Sequence, residues 1–468
     1  MILGCGRSEL SLPGYLAAIP DGSGGQGGPG GSAQAGTGGH AGAAGHSVQE
    51  EVVLVRGASH SCALLDPRTV KCWGQNSYGQ LGRGDMKSRG EKAKDMGAGL
   101  PAVKIGEGLS VVSLAAGAQH TCALFSNGRI KCWGDNQFGQ LGLGDQERRG
   151  DEPGEMGDFL PFVNLGANAS AVSLVAGDGH TCALLSTGAV KCWGQNGYGQ
   201  CGDSLETIVG DEPGEMGDAL PSVDTGSVPI RTLSAGAHHT CAIVGDGGLK
   251  CWGDNAYGQL GLGDSEPRGD QPGEMGDALP FIELGAKARV SQVAASSQHT
   301  CALLEDGRVK CWGANDAGQI GLLGWAYRGN KPGQMGDALP AVDLGTGVRP
   351  VSLHVHHVHT CALLDDGRVK CWGGNFNGQL GLGDTLSRGS QPGEMGDALP
   401  FVELGSGVRS LALGSVSTCA RLNTRRVKCW GSNFDGQLGL GDTEDRGDQP
   451  GEMGDALYIV NLGALVGP

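Results

Sequence analysis

Residues 120–145, HTCALFSNGRIKCWGDNQFGQLGLGD, decide the fold of this chain, because close copies of this stretch recur along it. There are seven copies, and their first cysteines lie 58 to 60 residues apart. These cysteines are Cys62, Cys122, Cys182, Cys241, Cys301, Cys361 and Cys419. A fixed period of this size is typical of stacked copies of one supersecondary unit. The sequence therefore predicts one repeat domain, which we place at residues 48–468.

One copy of the repeat, residues 110–166, contains four short stretches typical of strands. Residues 110–117, 120–125 and 129–134 are apolar or β-branched runs that glycine, asparagine and serine separate. Residues 160–166 follow a long polar loop and have a proline at their second position, which favours an edge position. Seven such units without helical periodicity predict an all-β, seven-bladed β-propeller with four-stranded antiparallel blades.

The spacing of the cysteines within each copy is typical of a stapled hairpin. A three-residue turn at 126–128, with glycine in its left-handed third position, places Cys122 opposite Cys132. Facing residues of this kind approach to a Cα separation of about 4.5 Å, at the short end of the disulfide range. One pair in every repeat does not suit zinc, which needs four ligands and short knuckles, so the alternative is a reduced pair of small buried cysteines. The predicted disulfides are Cys62–Cys72, Cys122–Cys132, Cys182–Cys192, Cys241–Cys251, Cys301–Cys311, Cys361–Cys371 and Cys419–Cys429.

The glycine that this turn needs is missing from two of the seven copies. It is present as Gly128, Gly188, Gly247, Gly307 and Gly367. The first copy has Asp-Pro-Arg at 66–68, and the last has Asn-Thr-Arg at 423–425. Since terminal repeats are often atypical, we expect a different turn in both hairpins.

The two ends of the repeat domain suggest how a ring of blades closes. Residues 50–55 match the first strand of a unit, and residues 458–463 match the fourth. Open sheet edges favour aggregation, so a ring is expected to seal itself. We predict that residues 458–462 complete the blade that contains residues 52–73.

Composition excludes several kinds of partner. The 468 residues carry a formal net charge of −16, which disfavours binding to nucleic acid. The sequence contains no run of 18 apolar residues, so we expect no transmembrane span. We expect a monomer that binds a protein partner.

The first 47 residues are rich in glycine and are expected to form a disordered tether. Residues 1–5, MILGC, resemble the end of a bacterial lipoprotein signal, which makes Cys5 a candidate lipidation site if the true start lies upstream. The alternative is a disordered tail with one stray cysteine. Seven disulfides require an oxidising compartment, so we expect an extracytoplasmic protein, secreted or lipid-anchored.

Two groups of residues are candidate binding sites. His354, His356, His357 and His359 replace small residues in the sixth copy and would bind a transition metal, or else form a polar surface patch. The acidic loops form a candidate binding rim for basic partners. Its residues are Asp151, Glu155, Asp158, Asp270, Glu274, Asp277 and the extra tryptophan, Trp325. We expect no cofactor, with calcium as the ion that oxygen ligands of this kind would take.

The histidine that precedes most of the paired cysteines has a different interpretation. It recurs in six copies, and the seventh has Ser417 instead. Six catalytic histidines would serve no purpose, so we expect hydrogen bonds between blades. Cys201 stands at a leucine position of the third copy, where we expect a buried thiol.

The consensus resembles the repeat of the regulator of chromosome condensation family. The residues that carry the resemblance are typified by HTCALLEDGRVKCWG at 299–313 and GQLGLGD at 378–384. The resemblance implies a seven-bladed propeller over residues 48–468. Family members include an exchange factor, a light receptor and a secreted inhibitor, so the fold does not determine function. We expect a non-enzymatic, exported protein-binding scaffold; the alternative is a guanine-nucleotide exchange factor for a small GTPase.

Overall fold

Seven antiparallel sheets follow one another along the chain in a computed structural model that describes residues 52–202 and 206–463. The strands are β1 Val53–Arg56, β2 His60–Asp66, β3 Thr69–Gly74, β4 Val111–Ala116, β5 His120–Phe125, β6 Ile130–Gly134, β7 Ala171–Ala176, β8 His180–Leu185, β9 Val190–Gln195, β10 Ile208–Val209, β11 Ile230–Ala235, β12 His239–Val244, β13 Gly248–Gly253, β14 Val290–Ala295, β15 His299–Leu304, β16 Val309–Gly313, β17 Pro350–His356, β18 His359–Leu364, β19 Val369–Gly373, β20 Val408–Gly414, β21 Ser417–Leu422 and β22 Val427–Gly431. Short 3-10 helices lie at Ala93–Asp95, Gly97–Gly99, Gly157–Phe159, Gly276–Ala278, Gly336–Ala338, Gly396–Ala398 and Gly454–Ala456. The all-β prediction is confirmed.

The predicted hairpin register is also confirmed. In the second sheet, the Phe125 amide donates to the Arg129 carbonyl at 2.9 Å, and Cys122 faces Cys132. All seven predicted cysteine pairs form disulfides, with Cα–Cα distances of 4.0–4.1 Å. The separation of the two cysteines by nine intervening residues was therefore enough to determine the pairing, because each bridge lies within one hairpin.

The prediction of a different turn was confirmed for the first hairpin and was wrong for the last. In the first, Asp66 pairs with Thr69 after a bulge, so Pro67 and Arg68 form a shorter turn, as expected. The last hairpin keeps the common three-residue turn, and the expectation of a different one was wrong there. Arg425 occupies the glycine position at φ 65°. Its amide donates to the Leu422 carbonyl at 2.9 Å, so the turn geometry prevails over the side-chain preference.

Replacing Arg425 with glycine is expected to stabilise the protein. A left-handed conformation costs a non-glycine residue about 1–2 kcal/mol, and glycine loses more unfolded-state entropy, so the net gain is about 0.5–1 kcal/mol. The measurement is the free energy of unfolding from chemical denaturation. Thr424→Gly adds the same glycine outside the left-handed position and should destabilise. An Arg425→Gly protein less stable than wild type would contradict this account.

The prediction of four-stranded blades was wrong for six of the seven sheets. Within residues 52–202 and 206–463 these six have three strands, and only the third sheet has a fourth, β10, which comes from the long loop. The outer edge of β6 shows why. Val163 donates its amide to the Ile130 carbonyl at 2.9 Å, whereas Arg149 bridges Gly134 at the other end. Two separate segments therefore cover this edge strand, one at each end, and neither forms a ladder.

The closure prediction was wrong as well. Ile459 bridges Lys428, and the Val460 amide donates to the Val427 carbonyl at 2.8 Å. The C-terminal segment therefore follows the last strand of its own repeat instead of joining the first sheet. The first and seventh sheets nevertheless pack together, because Trp73 and Leu438 belong to one buried apolar cluster.

Identical side-chain contacts join successive sheets. Trp133 Nε1 and Thr121 Oγ1 both donate to the Gln80 carbonyl of the preceding repeat, at 3.0 and 2.9 Å. His60 Nε2 lies 2.9 Å from Thr121 Oγ1. The same histidine contact recurs at 2.9–3.0 Å in the pairs His120–Thr181, His180–Thr240, His239–Thr300, His299–Thr360 and His359–Thr418. The predicted role of these histidines between blades is confirmed.

The interface between the seventh and first repeats uses a different side chain. Ser417 replaces the histidine, and Arg56 crosses the interface to donate to Ser417 Oγ at 2.7 Å and to Cys419 Sγ at 3.0 Å. Arg56 is 1% exposed, and burial lowers the pKa of its guanidinium to about 9. Arg56 thus fills the volume that a histidine ring occupies at the other interfaces.

Arg56→Ala is expected to destabilise the ring by about 3 kcal/mol, because it leaves a cavity and two unsatisfied partners. The double variant Arg56→Ala, Ser417→His should recover most of this loss, since it rebuilds the histidine contact with Ser61 in the threonine position. Ser417→His alone should be destabilised by a clash with Arg56. The free energies of unfolding of the four proteins form a double-mutant cycle, and additive effects would contradict the interpretation.

Candidate functional site

A belt of backbone hydrogen bonds joins adjacent repeats from the seventh, through the first, to the fifth. The Ala118 amide donates to the Asp178 carbonyl at 3.1 Å, and the Ala237 amide donates to the Ser296 carbonyl at 3.1 Å. Equivalent bonds join Ser415 to Ala58, Ala58 to Ala118, and Asp178 to Ala237. Small residues permit this approach, because a Cβ added at Gly117 would lie 2.5 Å from the Gly177 carbonyl oxygen. The belt therefore brings residues of neighbouring repeats together.

A cavity of about 330 Å³, which we call the mouth, opens beside this belt. The second to fourth repeats contribute its carboxylates, at Asp135, Asp178 and Asp254. Its aromatic lining consists of Phe138, Tyr198, His238 and His357. Lysine and arginine are absent from the described residues that line it. The mouth is therefore an acidic and aromatic concavity.

Hydrogen bonds hold two of the carboxylates in place. Asp135 is 1% exposed, its Oδ2 accepts from Gln140 Nε2 at 3.1 Å, and its Oδ1 lies 3.5 Å from Arg148 Nε. Burial raises the pKa of Asp135, and Arg148 opposes the shift. Asp254 accepts from Gln259 Nε2 at 2.8 Å and from the Ala256 amide at 3.0 Å. These carboxylates are fixed in orientation by the chain itself.

Two imidazole rings, His238 and His357, line the mouth, and burial lowers the pKa of both. His238 stacks at a tilt on Tyr198, with 5.4 Å between ring centroids, and its buried Nδ1 makes no hydrogen bond. Burial lowers the pKa of His238, while the carboxylate of Asp254 acts in the opposite direction. Both rings are therefore neutral at neutral pH and add no positive charge to the mouth.

One position of the repeat is aromatic on only one side of the ring. It holds Tyr78, Phe138, Tyr198 and Tyr257 in the first four repeats, and Ala317, Asn377 and Asp435 in the last three. We call this the slot position. Our sequence analysis missed it because each copy contributes a single residue. The signal in the sequence was the change from aromatic to non-aromatic residues at one position of closely similar copies.

The residues of the predicted acidic rim mainly hold their own loops. Glu155 Oε2 accepts from the Gly150 and Glu152 amides at 2.8 and 3.0 Å, and Asp158 accepts from the Glu107 amide at 3.0 Å. Glu274 and Asp277 repeat these bonds in the fourth copy. Burial raises the pKa of Asp151. Two rim residues have other settings: the Asp270 Oδ1 atom is buried without a hydrogen bond, and Trp325 is 52% exposed.

The four histidines of the sixth repeat have separate neighbours. His354 Nε2 lies 3.1 Å from Ser352 Oγ, and His357 Nδ1 lies 3.4 Å from Ser297 Oγ. His359 makes the contact between blades already described, and His356 is fully buried at the position of the belt glycine. Over residues 52–202 and 206–463, no group of three or more His, Cys, Asp or Glu is arranged to hold a metal ion.

Two cysteine predictions end differently. Cys201 is buried and keeps a thiol, with Sγ 3.5 Å from the Gln195 carbonyl, as expected. Cys5 and residues 1–47 lie outside the described residues, so lipidation stays a prediction. A search of the described part of the chain finds no helix with the length and apolar character needed to cross a membrane.

Comparisons with known proteins agree with the repeat architecture. The RCC1-like domain model matches residues 102–464, and models of the regulator of chromosome condensation (RCC1) repeat match residues 70–124 and 57–80. The ultraviolet-B receptor UVR8 of Arabidopsis thaliana is 30% identical over 84% of this chain and 80% of its own length. The probable E3 ubiquitin-protein ligase HERC6 of Homo sapiens is 33% identical over 68% of this chain, but the match spans 28% of that ligase.

Solved structures show the same fold. Prp20p of Saccharomyces cerevisiae has a TM-score of 0.60 at 22% identity, covering 85% of this chain and 86% of that one. Human WBSCR16 has a TM-score of 0.60 at 19% identity, covering 83% and 92%. With seven repeat sheets, the disulfide-stapled hairpins and the matching family model, this chain belongs to the regulator of chromosome condensation (RCC1) family.

Proposed function

We propose that the protein is a non-enzymatic, extracytoplasmic scaffold that binds a partner protein through the mouth. The observation that carries the proposal is the one-sided slot position, with aromatic residues in the first four repeats only. Identical repeats present identical surfaces, so a ring acquires a directional binding site only where its copies differ. Aromatic side chains around a desolvated concavity are the residues that most often dominate protein interfaces.

The disulfides support the proposed compartment. Seven intrachain bridges are expected to persist outside the reducing cytosol, in a secreted or envelope-tethered protein. The same argument weighs against the exchange-factor alternative, since small GTPases act in reducing compartments. Prp20p, which binds Gsp1p and histones, supports that alternative only through a shared fold.

Affinity capture tests the scaffold proposal. The oxidised full-length chain is immobilised and exposed to the extracytoplasmic fraction of its source organism. We expect wild type and Phe159→Ala to retain the same protein, because Phe159 is exposed outside the mouth, and Tyr198→Ala to lose it. Equal retention by Tyr198→Ala would refute binding through the mouth. Nucleotide release from a small GTPase of that organism would favour the exchange-factor alternative.

A further inference from the structure

An arginine of this chain already occupies one aromatic–carboxylate pair beside the mouth. The Arg148 guanidinium lies 4.6 Å from the centroid of the Tyr78 ring, and its Nε lies 3.5 Å from Asp135 Oδ1. A guanidinium suits such a pair because its plane stacks on the ring while its N–H groups face the carboxylate. Tyr78 is a slot residue, and Asp135 is the residue after the tryptophan-glycine pair of the next repeat.

The counterparts of Arg148 contact the slot residue of the preceding repeat at other interfaces. Tyr327 stacks on Tyr257, with 5.4 Å between centroids, and Asp445 accepts from Asn377 Nδ2 at 3.1 Å. The position of Arg148 within the repeat thus covers the slot position whenever its side chain is long enough and has a suitable group.

The interface between the third and fourth repeats has the same pair without the arginine. Its slot residue is Tyr198, and its carboxylate, at the position of Asp135, is Asp254. The counterpart of Arg148 is Pro267, which has no donor group. His238 stacks at a tilt on Tyr198, but Tyr198 remains 44% exposed, and both Tyr198 and Asp254 line the mouth. The geometry points to an arginine side chain of the partner protein as the group that binds between Tyr198 and Asp254.

The charges around this site favour a cation. Asp178 adds a further carboxylate to the lining of the mouth, and Arg148 offsets only Asp135. His238 brings a buried Nδ1 that has no hydrogen-bond partner within the protein. Arginine is favoured over lysine because a guanidinium both stacks on Tyr198 and presents a planar set of donors to Asp254. This inference rests on the proposed scaffold function and names the chemistry of its partner.

A short peptide can test the site without knowledge of the partner. The probe is acetyl-Gly-Arg-Gly amide, and its control replaces arginine with the neutral isostere citrulline. Binding to the oxidised full-length protein is followed by calorimetric titration. We expect the citrulline peptide and the Asp254→Asn protein each to weaken binding about tenfold or more, because a charge-assisted contact is lost. Equal affinity for the two peptides would overturn the inference.

Two variants test the site by adding or removing an arginine at the same repeat position in two different repeats. Pro267→Arg supplies the missing internal arginine, so it should abolish peptide binding while leaving the fold intact. Arg148→Ala empties the Tyr78–Asp135 pair, so the stoichiometry should rise from one peptide to two. Unchanged binding by Pro267→Arg would place the peptide elsewhere and reject the site.

The outcomes separate this inference from the scaffold proposal. If wild type captures a partner protein and Pro267→Arg captures it equally well, the arginine site is wrong and the scaffold stands. If the arginine peptide binds as expected but no partner protein is retained, the site stands and the scaffold proposal fails.

Discussion

Reduction of the seven disulfides is expected to unfold the ring at neutral pH. Each bridge closes a loop of about 11 residues, worth about 3 kcal/mol in the chain-entropy model, so seven bridges contribute about 20 kcal/mol. This sum exceeds the net stability of about 5–15 kcal/mol that is usual for folded domains. The measurement is the far-ultraviolet circular dichroism and the melting curve with and without a thiol reductant. An unchanged melt of the fully reduced protein would contradict the prediction.

A single hairpin provides the matched control for this experiment. Replacing both Cys122 and Cys132 with alanine removes one bridge and should lower the free energy of unfolding by about 3 kcal/mol. Removal of Cys201, which belongs to no bridge, should not change the response to reductant. A double-alanine variant as stable as wild type would show that these bridges do not constrain the unfolded chain.

Acid is expected to destabilise the protein steeply below pH 6.5. Burial lowers the pKa of six histidines between blades to about 3: His60, His120, His180, His239, His299 and His359. Because the folded pKa lies below the unfolded value of about 6.5, their contribution is complete above pH 6.5 and is lost as pH falls towards 3. Six independent sites give a loss of about 5 kcal/mol at pH 6 and about 12 kcal/mol at pH 5.

The dependence of unfolding free energy on pH measures this effect directly. Between pH 6 and 5 these six histidines should together contribute close to six protons taken up on unfolding, and the lowered pKa values of His238, His354, His356 and His357 add to this slope. His120→Gln should reduce the slope by about one proton. The closing interface should contribute none, because it uses Ser417 and Arg56. Equal stability at pH 7.5 and pH 5.5 would show that the histidines are not buried in the neutral form.

The local features of the repeat were predictable, and the contacts between repeats were less so. The pairing of Cys122 with Cys132 follows from residue counting around one turn, since both strands belong to the same hairpin. The partner of residues 458–462 could not be counted in this way. The strand that contains Lys428 and the first sheet present similar edges to residues 458–462. Which edge these residues pair with depends on how the sheets are arranged in the ring.

The turn at 423–425 and the contact of Arg56 show two further limits of the pattern. Arg425 breaks the glycine rule, yet the turn forms because the hydrogen bonds of the hairpin outweigh the strain of one residue. Arg56 stands where the next four repeats have alanine, and its longer side chain reaches the repeat that lacks the histidine. The reason for Arg425 and for Arg56 is visible only from the residues that lie next to each of them in the folded protein.

The sequence by itself determined the repeated hairpins, their register, the disulfides and the family, because these depend on residues fewer than about a dozen positions apart, or on their periodic recurrence. Only the tertiary structure decided how the ring closes, which repeats share the mouth, and which aromatic–carboxylate pair lacks its arginine. Tyr198 and Asp254 belong to different repeats, and each looks like ordinary variation along the chain. They form one candidate site because the packing of successive sheets brings both of them to the lining of the mouth.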